Sequence, residues 1–473
     1  MRIRSKTSAW RLGLELKRSL NTFDSISLLF SSMVGSGIFF TSGFLLKETG
    51  NAWIVLICWG LGGFLALCGS ITYAYAARLL PFAGGDYVYL KVAYSPVLAF
   101  MSGWSSLLTN FSACISVLAL AFGKYILILF PSLPNWSSET LRVLGVDLQI
   151  SSATVIGVFP ILFFSVLNFF GIKSAVLVQN LFAVIKIVGL VLFIVLGFLI
   201  GNSNWTFLFS NPMPNFLDST SYSKILIGIV PVSFSYLGWN MITYLAEEVK
   251  SPERNLVRSA VTACFMVTGL YLALNILFLV SAPSNELSGK DGIGAIAFER
   301  LFGTDLSILT TGFITWVILG SLSAILIGGS RVYFAMARDG AFIESFAKVH
   351  AKYRSPYVAI FFQASIAILF LCVKEIESLL YMITCSILIL SCLTAATPFR
   401  FEKLGYVSDY KIPFYPWPIF FYIFANLAVM LILFIEKPVN AIWGLSITLS
   451  AIPVYYGIQY RNNVLQKQTE LVS

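Results

Sequence analysis

The stretch MVGSGIF, residues 33–39, lies in the middle of an apolar run, residues 25–46, that is long enough to cross a lipid bilayer. Its two glycines flank a serine and weaken the helix at a depth where no water replaces lost backbone hydrogen bonds. Such a break is tolerated only where it is buried in protein or lines a cavity. We therefore predict a helix N-terminus inside the membrane, whose free amides at Ser36, Gly37 and Ile38 suit a carboxylate.

Small residues in a membrane helix also permit two helices to pack closely, and this alternative is sufficient for the first stretch taken alone. A second interruption, FSYLGWN at residues 234–240, lies about 200 residues later in the middle of another apolar run, residues 225–247. Interrupted helices at corresponding positions of two halves indicate a transporter with its binding site near the bilayer midplane. The pair of breaks therefore favours a substrate site.

The composition indicates a chain that is solvated by lipid, because 58% of the residues are hydrophobic, 11% are charged and the mean hydropathy is +0.84. The first apolar run exceeds the core of a signal peptide and many more follow it, which predicts a permanent span. We predict an all-α integral membrane protein with about 12 transmembrane helices. Besides 25–46, the predicted spans are 52–77, 96–130, 152–170, 174–201, 225–247, 256–280, 306–335, 357–373, 376–398, 414–434 and 439–456.

The basic residues are distributed unevenly between the two sides that these spans define. Of the 31 lysines and arginines, 22 fall on the side of the termini, 8 fall on the opposite side, and Lys186 lies within a span. By the positive-inside rule, both termini are predicted to be cytoplasmic. The net charge of +9 is thus mostly a topology signal, since residues scattered over short loops do not form a patch that binds nucleic acid.

The residue types give little support to catalytic or metal chemistry. The only histidine, His350, lies in a predicted cytoplasmic loop, which excludes a histidine metal cluster and a catalytic triad built on histidine. The seven cysteines all lie in apolar spans, where we interpret them as small packing residues rather than a disulfide framework. Ser36 lacks a plausible base partner. The sequence therefore predicts no enzyme, no metal site and no cofactor.

Three motifs resemble those of the amino acid/polyamine/organocation superfamily, and most of all its L-type branch of neutral amino acid transporters. They are VGSGIF in the first span, FSYLGWNMITYLAEEVKSPERNL across and beyond the sixth, and SRVYFAMARDG at the end of the eighth. The resemblance covers the chain from about residue 20 to 460 and implies an inverted five-plus-five repeat with broken helices 1 and 6. The implied divisions are a cytoplasmic tail (1–24), a first repeat with helices 1–5 (25–201), a second repeat with helices 6–10 (222–400), helices 11 and 12 (414–456) and a second cytoplasmic tail (457–473).

The same resemblance assigns backbone groups of the two breaks to the two charges of an amino acid. The substrate carboxylate would bind the amides of Ser36 and Gly37, with the Ser36 hydroxyl nearby. The substrate ammonium would bind the carbonyls of Met33, Phe234 and Leu237. This assignment agrees with elementary expectation, since the C-terminal end of a half-helix offers free carbonyls and the N-terminal end offers free amides.

Two side chains near the second break match site positions of the family. Phe234 matches an aromatic gate, although packing is the default role of any phenylalanine in a chain with 41 of them. Asn240 matches a polar position that lines the site, although such an amide more often bonds a neighbouring helix. The predicted substrate-binding residues are Met33, Gly35, Ser36, Gly37, Ile38, Phe234, Leu237 and Asn240.

Lys186 is predicted to lie deep in the fifth span, with apolar neighbours on every side. A charged residue at the centre of a membrane helix costs roughly 2.5–3.5 kcal/mol, so it is a functional candidate by default. The structural alternative is a lysine that pairs with carbonyls of the broken first helix and only braces it. In the superfamily, a lysine at this position resembles a built-in substitute for a sodium ion and is tied in some members to proton coupling. We predict bracing and a coupling role.

Charged and polar residues also follow the spans on the cytoplasmic side. We expect most of them to form a solvated face with weak ion pairs, while some latch an inner gate. The segment GGDYVYL, residues 84–90, predicts a cytoplasmic loop with a short interfacial helix whose tyrosines lie among lipid headgroups. The charged residues of the two clusters are Glu247, Glu248, Lys250, Glu253 and Arg254 after the sixth span, and Arg331, Arg338 and Asp339 after the eighth.

No acidic residue is predicted deep in a span, so a cationic side chain would lack a counter-ion, and neutral amino acids are the predicted substrates. Exchange and proton-coupled uptake both stay open. A cationic amino acid or polyamine exchanger and an amino acid sensor without transport are the alternatives.

The predicted partners are an amino acid substrate, the lipid bilayer and, if transport is coupled, protons. The loop 131–150 holds no cysteine, unlike the loop through which eukaryotic L-type transporters join a single-span partner. No disulfide-linked partner subunit is therefore expected. The short tails suit a bacterial inner membrane.

Overall fold

The computed structural model describes residues 16–143, 146–215, 218–290, 292–303, 307–373, 376–406 and 408–472. Positions 1–15 of the predicted cytoplasmic tail, 1–24, therefore lie outside the described residues. The described chain is mostly helical and contains one short β-hairpin. The predicted all-α class is confirmed in this coarse sense.

The elements occur in the following order along the chain. The first half holds α1 (Thr22–Met33), α2 (Gly37–Thr49), α3 (Ala52–Leu79), α4 (Asp86–Ala93), α5 (Pro96–Ser105), a π-helical turn (Ser106–Phe111), α6 (Ser112–Leu129), β1 (Leu141–Val143), β2 (Val146–Leu148), α7 (Ser152–Phe169), α8 (Ile172–Leu199) and α9 (Thr206–Phe209). The second half holds α10 (Ser219–Ser235), α11 (Met241–Tyr244), a 3-10 turn (Ala246–Glu248), α12 (Pro252–Ser281), α13 (Ser284–Leu287), α14 (Ile293–Phe302), α15 (Ser307–Arg338), a 3-10 turn (Glu344–Ala347), α16 (Tyr357–Phe370), α17 (Ile376–Ala395), α18 (Thr397–Lys403), α19 (Trp417–Glu436) and α20 (Pro438–Val472).

Within the described residues, nine helical segments are long and apolar enough to cross a membrane. A tenth span follows if α1 and α2 are joined, since they meet at a bend of 40°. Two further apolar helices, Ser221–Ser235 and Tyr357–Phe370, are shorter than a full span. Each predicted span contains helix, which is interrupted at 34–36 in the first span and at 236–240 in the sixth. The number of twelve crossings and the inverted repeat stay predictions.

The structure contains elements that the hydropathy pattern does not reveal. Strands β1 and β2 form an antiparallel hairpin with Arg142 opposite Asp147, in the loop after α6. The amphipathic helix α14 follows α12 and packs against it, with Ile293 and Ala297 buried. Helix α20 continues through most of the predicted tail, 457–473, as far as Val472. Short or amphipathic elements outside the spans have no long apolar run, which is why hydropathy misses them.

The broken helix α1–α2 lies at the centre of the packing. Helix α1 contacts α8, α12 and α15, while α2 contacts α10. Helix α3 packs against both α10 and α12. Both interruptions are therefore surrounded by protein, as non-helical backbone at membrane depth requires.

Candidate functional site

The first break is a gap of three residues between two helices. Helix α1 ends at Met33, and α2 begins at Gly37 with Ser36 as its N-terminal cap residue. The amides of Ser36, Gly37 and Ile38 donate no hydrogen bond to any residue that the structure describes. Gly35, Ser36 and Gly37 are partly exposed, whereas Val34 and Ile38 on either side are buried. The break thus presents free amides at a helix N-terminus, of which those of Ser36 and Gly37 belong to partly exposed residues, and such an arrangement binds anions.

The second break lies directly against the first. Helix α10 ends at Ser235, and residues 236–240 form turns before α11. Gly238 has a φ of +102°, and a Cβ atom there would lie 2.8 Å from backbone and side-chain atoms of Ser32. The Ser32 hydroxyl donates to the Gly238 carbonyl over 2.9 Å. Only glycine permits both this backbone conformation and this close approach.

Tyr271 of α12 joins the two breaks. Its hydroxyl oxygen lies 2.8 Å from the carbonyl oxygen of Met33 and 2.9 Å from that of Ser235, which are the last residues of α1 and α10. A single hydroxyl proton serves one of the two carbonyls at a time. Thr41 and Ser235 add a hydroxyl pair at 2.9 Å. Sequence reasoning did not find Tyr271, since it is one of 21 tyrosines and lies in no recognised motif.

Lys186 is fully buried in α8 and reaches the C-terminal end of α1. Its Nζ donates to the carbonyl oxygens of Val34 at 2.7 Å and Ser31 at 3.3 Å. It also donates to the hydroxyl of Ser321 in α15 at 3.2 Å, and that hydroxyl donates to Val34 in turn at 3.0 Å. The ammonium therefore satisfies carbonyls that the break leaves without amide partners.

The three carbonyls assigned to the substrate ammonium differ in their availability. The Met33 carbonyl accepts from the Gly35 amide and shares the single Tyr271 proton with the Ser235 carbonyl. The Phe234 carbonyl accepts from the Leu237 amide at 3.1 Å. The Leu237 carbonyl accepts no hydrogen bond within the described part of the chain. An ammonium at Met33 would thus have to displace Tyr271.

The side chains of Phe234 and Asn240 have different neighbours. The Phe234 ring is partly buried and packs against a cluster that includes Leu388 and Val429. Together with Leu237 it lines a cleft between α3, α10, α17 and α19. The Asn240 amide donates to the Tyr244 hydroxyl one helical turn onward at 3.2 Å. The structure thus brings residues 33–38 close to the second break, while Asn240 turns toward α11.

The charged residues that follow the sixth and eighth predicted spans were expected to form a solvated face with weak ion pairs. This expectation is wrong for most of them. Glu248 and Arg331 are both fully buried and form an ion pair at 2.8 Å. Arg338 holds Glu247 through two hydrogen bonds of 2.9 and 3.0 Å. Burial raises the pKa of Glu248, and the charge of Arg331 opposes that rise. The expectation holds for Lys250, Glu253 and Arg254, which are exposed.

Helix α4 is also more buried than predicted. It begins within the predicted segment 84–90 and continues to Ala93, but Tyr87 and Tyr89 are 1% and 0% exposed, so neither lies among lipid headgroups. The Tyr87 hydroxyl donates to Asp339, which also pairs with Lys91 at 2.6 Å. Helix α4 is therefore part of the packed end of the molecule that is predicted to be cytoplasmic.

Over the described residues, no group of three histidine, cysteine or acidic side chains could hold a metal ion. All seven cysteines are free thiols. Half-buried His350 accepts from the Tyr353 amide through Nδ1 and stacks on that tyrosine, in a segment between helices as predicted.

Comparison with known proteins identifies relatives over almost the entire length. The family model of the amino acid permeases matches residues 20–458. The serine/threonine exchanger SteT of Bacillus subtilis is 28% identical over 451 residues, which cover 94% of this chain and 98% of the relative. The human large neutral amino acids transporter small subunit 2 is 26% identical and the human cystine/glutamate transporter 25% identical, each over 450 residues. These two alignments cover 94% of this chain and 81% and 85% of the relatives, respectively.

Proposed function

The chain belongs to the amino acid permease family, and we propose that it is a multi-pass membrane protein that transports neutral amino acids by alternating access. The resemblance to the amino acid/polyamine/organocation superfamily is thereby confirmed. One observation carries the proposal: two broken helices meet, and the first offers unbonded amides at Ser36, Gly37 and Ile38. The relatives named above are exchangers or transporters of amino acids, and the family consists of transporters rather than enzymes.

We propose that the substrate α-carboxylate binds these amides, close to Gly35 and the Ser36 hydroxyl. The substrate ammonium binds the free Leu237 carbonyl, with the Met33 and Phe234 carbonyls joining when Tyr271 and the Leu237 amide move. Phe234 covers the substrate side chain from the second break. Asn240 acts through Tyr244 instead of contacting the substrate, because its amide is already engaged there.

Neutral substrates are favoured over cationic ones. No described acidic side chain forms a hydrogen bond or an ion pair with residues 33–38 or 234–238. A cationic side chain at the breaks would therefore be buried without a counter-ion. The names of two relatives, serine/threonine exchanger and large neutral amino acids transporter, describe neutral substrates.

The proposed architecture comprises twelve spans in an inverted five-plus-five repeat, 25–201 and 222–400, followed by 414–456, in a bacterial inner membrane with both termini cytoplasmic. Each ion pair among the described residues joins two residues predicted on the same side of the membrane, which supports this division. In a cysteine-free background, an impermeant thiol reagent should label a cysteine at exposed Glu139 from outside and one at exposed Ala351 only after permeabilisation. The reverse pattern would overturn the orientation.

Counterflow in proteoliposomes tests the function. Vesicles loaded with unlabelled serine, leucine, arginine, glutamate or putrescine are diluted into the same labelled compound, and its accumulation is measured. We expect accumulation of serine or leucine and none of arginine or putrescine. Accumulation confined to the cations would establish the alternative exchanger, and binding without accumulation would indicate a sensor. We propose no disulfide-linked partner, so the chain alone should suffice.

A further inference from the structure

Asp86 is a buried acid at the cytoplasmic end of the molecule. It begins helix α4 and is 7% exposed. Its Oδ2 accepts the Tyr244 hydroxyl at 2.6 Å, while its Oδ1 accepts no hydrogen bond from a described residue. A carboxylate normally accepts several hydrogen bonds when it is buried. Asp86 therefore accepts fewer hydrogen bonds than a buried carboxylate normally does, and its position in the first turn of α4 offsets part of the cost of its charge.

The groups that face Asp86 are hydroxyl groups on several different elements. The hydroxyl groups of Tyr244 on α11, Tyr73 on α3 and Thr394 on α17 favour the charged form of the carboxyl. The charge of Asp86 in turn acts on Tyr89 of α4 and Tyr422 of α19. Tyr73 donates to the Ser391 carbonyl at 3.4 Å, and Tyr89 donates to the Thr243 carbonyl at 3.4 Å. Among the described residues, Tyr244 thus supplies the one hydrogen bond of normal length to the acid, and the hydroxyl groups of Tyr73 and Thr394 lower its pKa less than Tyr244 does.

The basic side chains on α4 and on the helices that pack against it interact with groups other than Asp86. Helix α4 contacts α5, α15, α17 and α18. On α15, Arg331 pairs with Glu248 and Arg338 with Glu247. On α18, Arg400 lies over the ring of Tyr94. Lys91 of α4 pairs with Asp339. Among the described residues, no basic side chain forms an ion pair with Asp86, in contrast to Glu247, Glu248 and Asp339 in this region.

A hydrogen-bond chain connects Asp86 to the second break. Asn240 donates to the Tyr244 hydroxyl at 3.2 Å, and that hydroxyl donates to Asp86. Gly85 packs directly on the Tyr244 ring, since a Cβ atom there would lie 2.5 Å from the ring. The Gly84 amide donates to the Tyr244 carbonyl at 3.1 Å. Any displacement of α11 that opens the cytoplasmic end must therefore change the surroundings of the acid.

We propose that Asp86 is a proton-binding site of the transport cycle. Its carboxyl carries a proton while the cytoplasmic end is closed, as it is here around the buried Glu248–Arg331 pair, and releases that proton to cytoplasmic water when this end opens. The inference rests on the alternating access proposed above. It assigns a proton site to α4, separate from Lys186.

The direction of the pH effect follows from the environment of the acid. Burial raises the pKa of the Asp86 carboxyl, and the Tyr244 hydroxyl opposes part of that rise. An acid with a raised pKa in the closed conformation favours that conformation below its pKa in the open, solvated conformation. The preference is lost as the pH rises through the raised value. Low cytoplasmic pH should therefore favour closure of the cytoplasmic end.

Thiol accessibility in the full-length protein tests this dependence. A cysteine replaces Ala246, which is fully buried at the cytoplasmic end, in a cysteine-free background. Inside-out vesicles are treated with a methanethiosulfonate reagent that carries a fixed positive charge, between about pH 5.5 and 8. The labelling rate is divided by that of a cysteine at exposed Ala351, which removes the pH dependence of the thiol itself. We expect this ratio to fall as the pH is lowered.

Three further variants locate the effect. Asp86→Asn, which imitates the protonated acid, should give a low ratio that does not vary with pH. Tyr244→Phe removes the only full hydrogen bond to the ionised form and should raise the midpoint by about one pH unit. Glu402→Gln is the matched control, because exposed Glu402 also accepts a tyrosine hydroxyl, that of Tyr415 at 3.0 Å, and should change nothing.

The proposal would be overturned if the labelling ratio still varied with pH in Asp86→Asn. It would also be overturned if Tyr244→Phe left the midpoint of the pH dependence unchanged or lowered it. If Asp86→Asn does not fold, the direction of the Tyr244→Phe shift still decides. Counterflow by the unaltered protein at a single pH tests transport itself. Its failure would contradict the proposed function and is distinguishable from a failure of the proton site.

Discussion

The ammonium of Lys186 lies 2.7 Å from the carbonyl oxygen of Val34, the residue that follows the last turn of α1. The same nitrogen reaches the Ser31 carbonyl at 3.3 Å. A helix that ends inside a membrane leaves carbonyls without partners at a depth where water is scarce. The side chain of α8 supplies that partner, and it positions the residues that lead into Gly35, Ser36 and Gly37.

We expect Lys186→Met to reduce the initial rate of counterflow at least about tenfold, which corresponds to about 1.4 kcal/mol in the barrier. Methionine fills a similar volume but removes the ammonium, which leaves the Val34 carbonyl with only the Ser321 hydroxyl and the Ser31 carbonyl without this donor. Lys173→Met is the matched control, since Lys173 is an exposed lysine of the same helix, and its rate should be unchanged. Equal rates for Lys186→Met and the unaltered protein would show that the lysine has no role in transport.

The two glycines of the first break should respond differently to a methyl group. A Cβ atom at Gly37 would lie 2.7 Å from the Ser235 hydroxyl oxygen, whereas one at Gly35 would lie 3.6 Å from the Ser321 hydroxyl. Gly37→Ala should therefore displace α2 from α10 and raise the substrate concentration for half-maximal counterflow about ten- to a hundredfold, as expected for losing one hydrogen bond to a charge. Gly35→Ala should change it much less.

A second substitution separates crowding from the role of the amide. Ser235→Ala removes the oxygen at 2.7 Å and leaves the Ser235 Cβ at 3.2 Å from the added methyl group. The double variant Gly37→Ala/Ser235→Ala should therefore regain part of the lost affinity, measured in the same counterflow assay. No recovery would mean that crowding against α10 is not the cause.

Sequence reasoning predicts the parts of this site that depend on local backbone chemistry. Both breaks follow from glycines in apolar runs, and a contact between Lys186 and the first break follows from the cost of a charge in lipid. Tyr271 is not predictable in this way, since its role depends on which carbonyls α12 meets in space. The burial of Asp86 and Glu248 is likewise hidden, because residues outside apolar runs are assigned to solvent by hydropathy alone.

We expect Tyr271→Phe to abolish most counterflow. The variant leaves the Met33 and Ser235 carbonyls without their shared donor, and such a loss costs about 1–3 kcal/mol of stability. It also removes the hydrogen-bonded connection between the ends of α1 and α10. Tyr333→Phe is the control, because the buried Tyr333 hydroxyl donates to the Ser106 carbonyl at 3.2 Å, away from both breaks. Both variants should lose a similar amount of thermal stability, and only Tyr271→Phe should lose transport. If both retain transport, the bridge is structural only.

The ion pair between Glu248 and Arg331 is buried at the end of the molecule that we propose is cytoplasmic. Both side chains are fully buried, and the backbone carbonyl of Glu248 also accepts the amides of Ser19 and Leu20. Removing one partner of a buried pair leaves an uncompensated charge and costs about 3–5 kcal/mol, whereas replacing both partners by apolar residues is often neutral. A single substitution should therefore destabilise the folded protein, whereas the double substitution should leave its stability almost unchanged.

We expect Arg331→Leu to lower the unfolding temperature clearly and Glu248→Leu/Arg331→Leu to restore most of it. Arg300→Leu is the control, since its exposed pair with Glu286 contributes at most about 1 kcal/mol. A thiol-reactive dye that reports exposure of buried thiols such as Cys58 and Cys264 measures unfolding in detergent.

Burial already raises the pKa of Glu248 against the opposition of Arg331, so without the arginine the carboxyl should take up a proton more readily. A raised pKa in the folded state stabilises that state at low pH and loses its effect as the pH rises, so the Arg331→Leu defect should be smaller at pH 5 than at pH 8. Arg331→Leu could instead lower the unfolding temperature equally at pH 5 and pH 8. That result would show that water reaches the Glu248 carboxylate when Arg331 is removed, and it would contradict the closure of this end by the ion pair.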